Sequence, residues 1–109
     1  MINRIWHGWT TPENADLYEN LLRNEIFPGI LARKIAGFRR IDLLRRPLDK
    51  EVEFITVMWF DSWEAVKEFA GDHMDHAVVP PKARAVLARF DDRSQHYDVR
   101  ESREGSAPR

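Results

Sequence analysis

The chain has no cysteine. That excludes disulfides, thiol nucleophiles and thiolate metal ligands, and it fits a reducing compartment. It also lacks charge of one sign: 17 basic residues face 18 acidic ones, for a net charge of −1. A dedicated nucleic-acid binder usually carries a clear basic excess. No apolar run approaches the roughly 18 residues of a membrane span. The opening MINRIWHGW has neither the basic nor the apolar region of a secretory signal. There is no glycine-rich phosphate loop, dinucleotide fingerprint or nucleophile elbow, and no internal repeat. These absences predict a cytoplasmic protein with no nucleotide, flavin or metal cofactor.

What is present suits one folded unit. At 109 residues, 43% hydrophobic and 32% charged, the chain can close a single core. A domain is expected over residues 1–100, followed by a loose, low-complexity tail over 101–109. The longest strand-like stretch is EVEFITVMWF, Glu51 to Phe60. Side chains on a strand alternate between the two faces of a sheet. Here Val52, Phe54, Met58 and Phe60 alternate with Ile55, Val57 and Trp59, so both faces are apolar. A strand with one solvated face would be polar at every second position. This one is therefore predicted to be central and covered on both sides.

The remaining elements fall around it. Ile2 to Trp9 reads as a first strand. Thr11-Pro12-Glu13 is a helix start, with Thr11 as cap and Pro12 at the first helical position, where its missing N–H costs nothing. Tyr18, Leu22, Ile26 and Ile30 then recur every four residues as an amphipathic stripe, and Pro28 predicts a kink or break near Phe27. GFRRIDLLRR, residues 37–46, is an arginine-rich strand suited to a sheet edge. Pro47 to Lys50 turns it into the central strand. Asp61, three residues before Glu64, predicts the cap of a second helix, which ends at Gly71. Pro80-Pro81 opens a further helix through Phe90, and Ser94 to Arg100 is a last strand. The order β-α-β-β-α-β is that of the α+β ferredoxin-like fold, with helices on one face of an antiparallel sheet. Its other face, still rich in Trp, Phe, Val or Met, predicts a second copy packed sheet to sheet.

The opening NRIWHGWT, the helix ending EIFPGI, the hairpin GFRRIDLLRR–EVEFITVMWF, the helix start FDSWEAVKEFAG and the closing RFDDRSQHYDV together resemble the antibiotic biosynthesis monooxygenase family, of the dimeric α+β barrel superfamily. The resemblance runs over residues 2–100. It implies a small homodimer with a pocket in each subunit between sheet and helices. Several members oxidise phenolic or quinol-like substrates with dioxygen and neither metal nor flavin. One branch degrades haem. Asn3 sits where that branch has a pocket asparagine, but its pocket tryptophan falls at Phe69 and its iron-ligating histidine at Val79, and valine cannot ligate iron.

Placing Asn3 in the pocket assigns the candidate site. His7 shares its strand parity and becomes the candidate base, taking a proton from a phenolic substrate. Asn3 would stabilise the resulting oxyanion. Trp9, Trp59 and Phe69 become flat walls, and Tyr97 a hydrogen-bond donor. On the same parity, Ile55, Val57 and Trp59 would face the helices, and Val52, Phe54, Met58 and Phe60 the second subunit. Plainer accounts stand beside these: a histidine bonded within the core or at a dimer seam, and tryptophans that only pack. His73 and His76 lie three apart beside Asp72 and Asp75, which suits a solvated rim better than a metal site lacking further ligands. The expected function is thus a cofactor-independent monooxygenase acting on a small phenolic, quinol or polycyclic aromatic with dioxygen. The alternative is a non-catalytic dimeric ligand-binding or stress-response protein on the same fold.

Overall fold

The computed structural model describes residues 1–108. The last residue of the expected tail lies outside them, and residues 101–108 form no helix or strand.

Five strands form one antiparallel sheet. β1 (Ile2–Thr10) pairs along its whole length with β3 (Val52–Phe60), and β3 pairs with β2 (Phe38–Pro47). On the other side of β1 lie two short strands, β4 (Arg89–Phe90) against Gly8–Trp9 and β5 (Gln95–Asp98) against Ile2–Ile5. The order β2-β3-β1 followed by β4 and β5 puts the first and third strands at the centre, as the ferredoxin-like order requires, and β2 at an edge. Each β2 arginine has a carboxylate partner: Arg39 with Asp61, Arg40 with Asp42, Arg45 with Asp16 and Glu19, Arg46 with Glu53. Such exposed pairs contribute little stability each, but they deny the edge to a foreign strand.

The helices cover one face. α1 (Ala15–Leu21) leads into a π-helical turn, Leu22–Ile26, and then α2 (Phe27–Ala32). Pro28 was expected to kink or break this helix near Phe27. The chain instead widens one turn early: the Phe27 N–H donates to the Leu22 carbonyl five residues back, and the helix passes its proline without ending. α3 (Trp63–Ala70) is capped by Ser62, not by the expected Asp61: the Ser62 hydroxyl accepts from the Ala65 N–H at 3.2 Å. Asp61 is drawn instead to Arg39. The helix after Pro80 is shorter than its sequence suggests. α4 (Pro81–Val86) ends where Leu87 turns extended, and Phe90, expected on that helix, belongs to β4. There the Ala88 N–H donates to the Trp9 carbonyl at 2.8 Å, so β1 finds pairing that a longer helix would have denied it.

The core decides which side of the sheet is which. Phe54 is fully buried and meets the Tyr18 ring of α1 edge to face at 4.9 Å. Met58 and Phe60 pack with Ala65, Val66 and Phe69 of α3. Val52, Phe54, Met58 and Phe60 therefore face the helices, and Ile55, Val57 and Trp59 face away. The expected parity is reversed. The register carries the reversal onto β1: Asn3 pairs with Trp59, Ile5 with Val57 and His7 with Ile55, so all three leave the sheet on the open side.

Gly8 marks how tightly the helix side closes. The Trp6 indole folds back over it, and a β-carbon there would lie 2.9 Å from Trp6 Cη2 and 3.1 Å from Leu87 Cδ2. Gly8→Ala should cost about 1–3 kcal/mol, as overpacking does, and displace the indole. A urea melt would show the loss and the tryptophan emission the displacement.

Candidate active site

Between the sheet and the helices lies a cleft of about 70 Å³, lined by Trp6, Tyr18, Leu22, Ile26, Met58, Phe69 and Val79, among others. The helix stripe supplies one wall and the helix-facing parity of β1 and β3 the other. Thr56, Ser94 and Tyr18 are the hydroxyl-bearing residues of its lining, and burial pushes the Tyr18 phenol well above its usual range, holding it protonated.

The charged group lining the cleft is Arg4, which is only 3% exposed. Its Nη1 donates to the Met74 carbonyl and to His96 Nε2, the latter at 3.0 Å, and its Nη2 donates to the His76 carbonyl at 2.9 Å. An arginine has no lone pair to offer, so His96 Nε2 accepts and Nδ1 carries the proton, 3.5 Å from Asp75 Oδ1. Arg4 lies over the Phe69 ring, with its guanidinium carbon 5.4 Å from the centroid, and Arg33 lies 5.3 Å from the same centroid. Burial pulls the Arg4 pKa down to about 10, with Asp75 opposing. The guanidinium remains charged at neutral pH.

His96 responds to the same surroundings. Burial first, and the Arg4 charge second, lower its pKa below the ordinary 6.5, with Asp75 opposing. The unfolded chain thus takes up this proton at a higher pH than the folded one. The neutral ring's contribution is complete above 6.5 and is lost as the pH falls through the window beneath it. Melting temperature should drop between pH 7.5 and pH 5.5. His96→Asn should flatten that part of the drop, as thermal melts across the pH range would show.

The candidates named from sequence divide between the two faces. Phe69 lines the cleft. Asn3, His7, Trp9 and Trp59 share the open face with Tyr97, which pairs with Asn3. There Asp91 sits in the interruption between β4 and β5. Its carboxylate accepts from the His7 backbone N–H at 3.2 Å and from His7 Nδ1 at 2.7 Å. That contact orients the ring, with Nδ1 toward Asp91 and Nε2 away from it. The His7 ring stacks on Trp9 at 5.9 Å, and Arg89 caps Trp9 at 3.8 Å while pairing with Glu51. Trp59 donates to Asp42 at 3.1 Å. Asn3 Oδ1 is buried with no hydrogen-bond partner. The open face thus carries a built His–Asp pair and an orphaned acceptor, but it is a surface, not the helix-side pocket.

Sequence reasoning passed over Arg4 and Trp6. The available signal was an arginine within an apolar strand, between Asn3 and Ile5. His73 and His76 stack at 5.2 Å on an exposed rim, and among the described residues no three His, Asp or Glu side chains converge as metal ligands would.

An antiparallel sheet with helices on one face and an aromatic cleft between them is the α+β ferredoxin-like fold of antibiotic biosynthesis monooxygenase-like proteins. Solved structures agree. A Bacillus cereus protein assigned as an antibiotic biosynthesis monooxygenase superposes with a TM-score of 0.69 at 15% identity, over 95% of this chain and 97% of that one. A variant of MhuD, solved with two manganese protoporphyrin IX per active site, gives 0.63 at 19%, over 96% and 100%. SnoaB, a cofactor-independent oxygenase from Streptomyces nogalater, gives 0.60 at 16%, over 93% and 95%. At such identities the likeness is one of fold. No protein-family model matches the chain, and no curated protein matches it by sequence.

A porphyrin such as the one bound by the MhuD variant is a poor fit to this cleft. Phe69 and Val79 both line it, no histidine does, and the buried Tyr18 phenol keeps its proton. A volume of about 70 Å³ is half that of the roughly 150 Å³ cavity that takes one benzene ring.

Proposed function

We propose that the protein is a monooxygenase that oxidises a small phenolic or quinol-type aromatic with dioxygen in the cleft between sheet and helices, as a cytoplasmic homodimer joined through its open sheet face. The observation that carries this is the cleft itself: walls from Trp6, Tyr18 and Phe69, with Arg4 as its charged group. Fold likeness to a cofactor-independent oxygenase supports it. For a simple phenol the overall change is balanced without a cofactor. The arene C–H and phenolic O–H give up their hydrogens, one oxygen atom enters as the second quinone carbonyl, and the other leaves as water. The substrate supplies all four electrons, and the protein's task is to hold it in its electron-rich form, away from bulk water.

The narrow cleft must widen to admit even one ring. Val79 and Pro80 belong to a stretch between α3 and α4 without helix or strand, and this is the wall that can yield. Val79→Trp should fill the cleft and lower kcat/KM by about 100-fold, as misplacing a substrate does, while the melting temperature stays close to wild type.

His7 and Asn3 leave the sheet on the side away from this cleft, so they act at the subunit seam and not on the substrate. His7→Ala should keep kcat within about threefold; a loss on the order of 10³-fold, the size that one general base typically supplies, would return His7 to the chemistry. The oxygenase itself is tested by oxygen uptake across a panel of quinols and hydroxylated polycyclic aromatics. Neither uptake nor ligand-dependent stabilisation with any of them would leave a non-catalytic protein.

A further inference from the structure

We propose that Arg4 selects the charge of the ligand, so that the cleft takes an aromatic bearing an acidic oxygen, phenolate or carboxylate, and takes it as the anion. The proposal rests on the cleft being the substrate site and goes one step further, to the state in which the substrate is held.

The argument begins with the partners Arg4 lacks. A buried cation is normally offset by a carboxylate, because removing a charge from water costs several kcal/mol. Among the described residues no carboxylate lies within 4 Å of this guanidinium, whereas the β2 arginines at the surface all have one. Arg4 is held by neutral acceptors, the Met74 and His76 carbonyls and His96. Those bonds occupy both Nη1 hydrogens and one on Nη2. A guanidinium has five N–H groups, so Nε–H and the second Nη2–H remain. A charged group with donors to spare, lining an aromatic cleft, is a site for one anionic oxygen or a carboxylate pair. The surrounding low dielectric strengthens the attraction. The nearest compensating charge, Asp75, acts through His96 and from a distance. An anion bound beside Arg4 would be the first direct counter-charge the guanidinium has. For a phenolic substrate this also supplies activation, since the phenolate and not the phenol gives up electrons to dioxygen.

The probe is para-nitrophenol, whose phenolate absorbs in the visible, so its ionisation can be followed while bound. Bound to wild-type protein its pKa should fall by at least about one unit, a tenfold preference for the anion. para-Nitrobenzoate should bind at least about tenfold more tightly than nitrobenzene by equilibrium dialysis, on the same tenfold-per-unit scale. A shift with nitrophenol but no preference for nitrobenzoate would assign the site to phenolates, and the converse to carboxylates. In Arg4→Met the ionisation should return to its free value or above, and in Arg4→Lys part of the shift should survive. Should Arg4→Met not fold, the wild-type titration decides alone. Unshifted or raised ionisation together with equal affinity for nitrobenzoate and nitrobenzene overturns the proposal, as does failure of all three to bind. Depressed ionisation without oxygen uptake on any quinol would sink the oxygenase and leave Arg4 in its role. Turnover with undepressed ionisation and no preference for nitrobenzoate would do the reverse.

Discussion

Phe54→Ala is expected to destabilise the chain by about 3–5 kcal/mol, the cost of emptying a large aromatic from a closed core. Phe54 is fully buried on the central strand, with the Tyr18 ring 4.9 Å away and Val52, Leu22 and Ala83 in the same cluster. Neighbours on sheet and helix cannot both relax into the space, because β3 is held by strands on each side. A native domain of this size has only about 5–15 kcal/mol in all, so the variant should melt at markedly lower urea. The comparison with Val57→Ala, three residues on, carries the test. Val57 lies on the open face and is only half-buried. In the isolated subunit its truncation should cost under about 1 kcal/mol, well below a core value. Equal costs at the two positions would mean the faces are assigned wrongly.

The second large effect is on assembly. Ile55→Asp should convert the proposed dimer, of about twice 12.9 kDa, into a folded monomer at micromolar concentration. Ile55 lies at the middle of the open face, paired with His7 on one side and Leu44 on the other, with Ile5, Val57 and Trp9 around it. Leu44 is 50% exposed, and an apolar surface of this kind calls for a cover. A carboxylate placed there would have to be desolvated without a partner, at a cost of several kcal/mol and so a dissociation constant raised by more than about 10³-fold. Asn3 fits the same picture: its buried, unbonded Oδ1 awaits a donor that the chain does not supply. Sedimentation velocity reads the change directly, and a wild-type chain that is itself a stable monomer would sink the homodimer.

Much of the fold is legible in the sequence because local physics dictates it. Two apolar parities in EVEFITVMWF demand a doubly covered, central strand. Four arginines in GFRRIDLLRR suit an edge. Pro12 and Gly71 mark ends that the helices respect. The misses are those where a tertiary contact outbid a local preference. Asp61 gave up the helix cap to Ser62 because Arg39 lay within reach. Phe90 left its helix because β1 needed a partner at Gly8 and Trp9. Pro28 was absorbed by a wider turn that still packs Leu22 inward.

The site was less legible, for a physical reason. Alternation along a strand says that two faces exist but not which one meets the helices. On β1 and β3 both parities are largely apolar, so the pattern is degenerate: Arg4, Thr10 and Thr56 on the true core side are matched by Asn3, His7 and Glu53 on the open one. The sequence alone determined an α+β ferredoxin-like chain with a central strand whose faces differ in partner. Only the tertiary structure, by seating Tyr18 against Phe54 and α3 against Phe60, decided which face closes over the cleft. That choice turned His7 and Asn3 outward and brought Arg4 in.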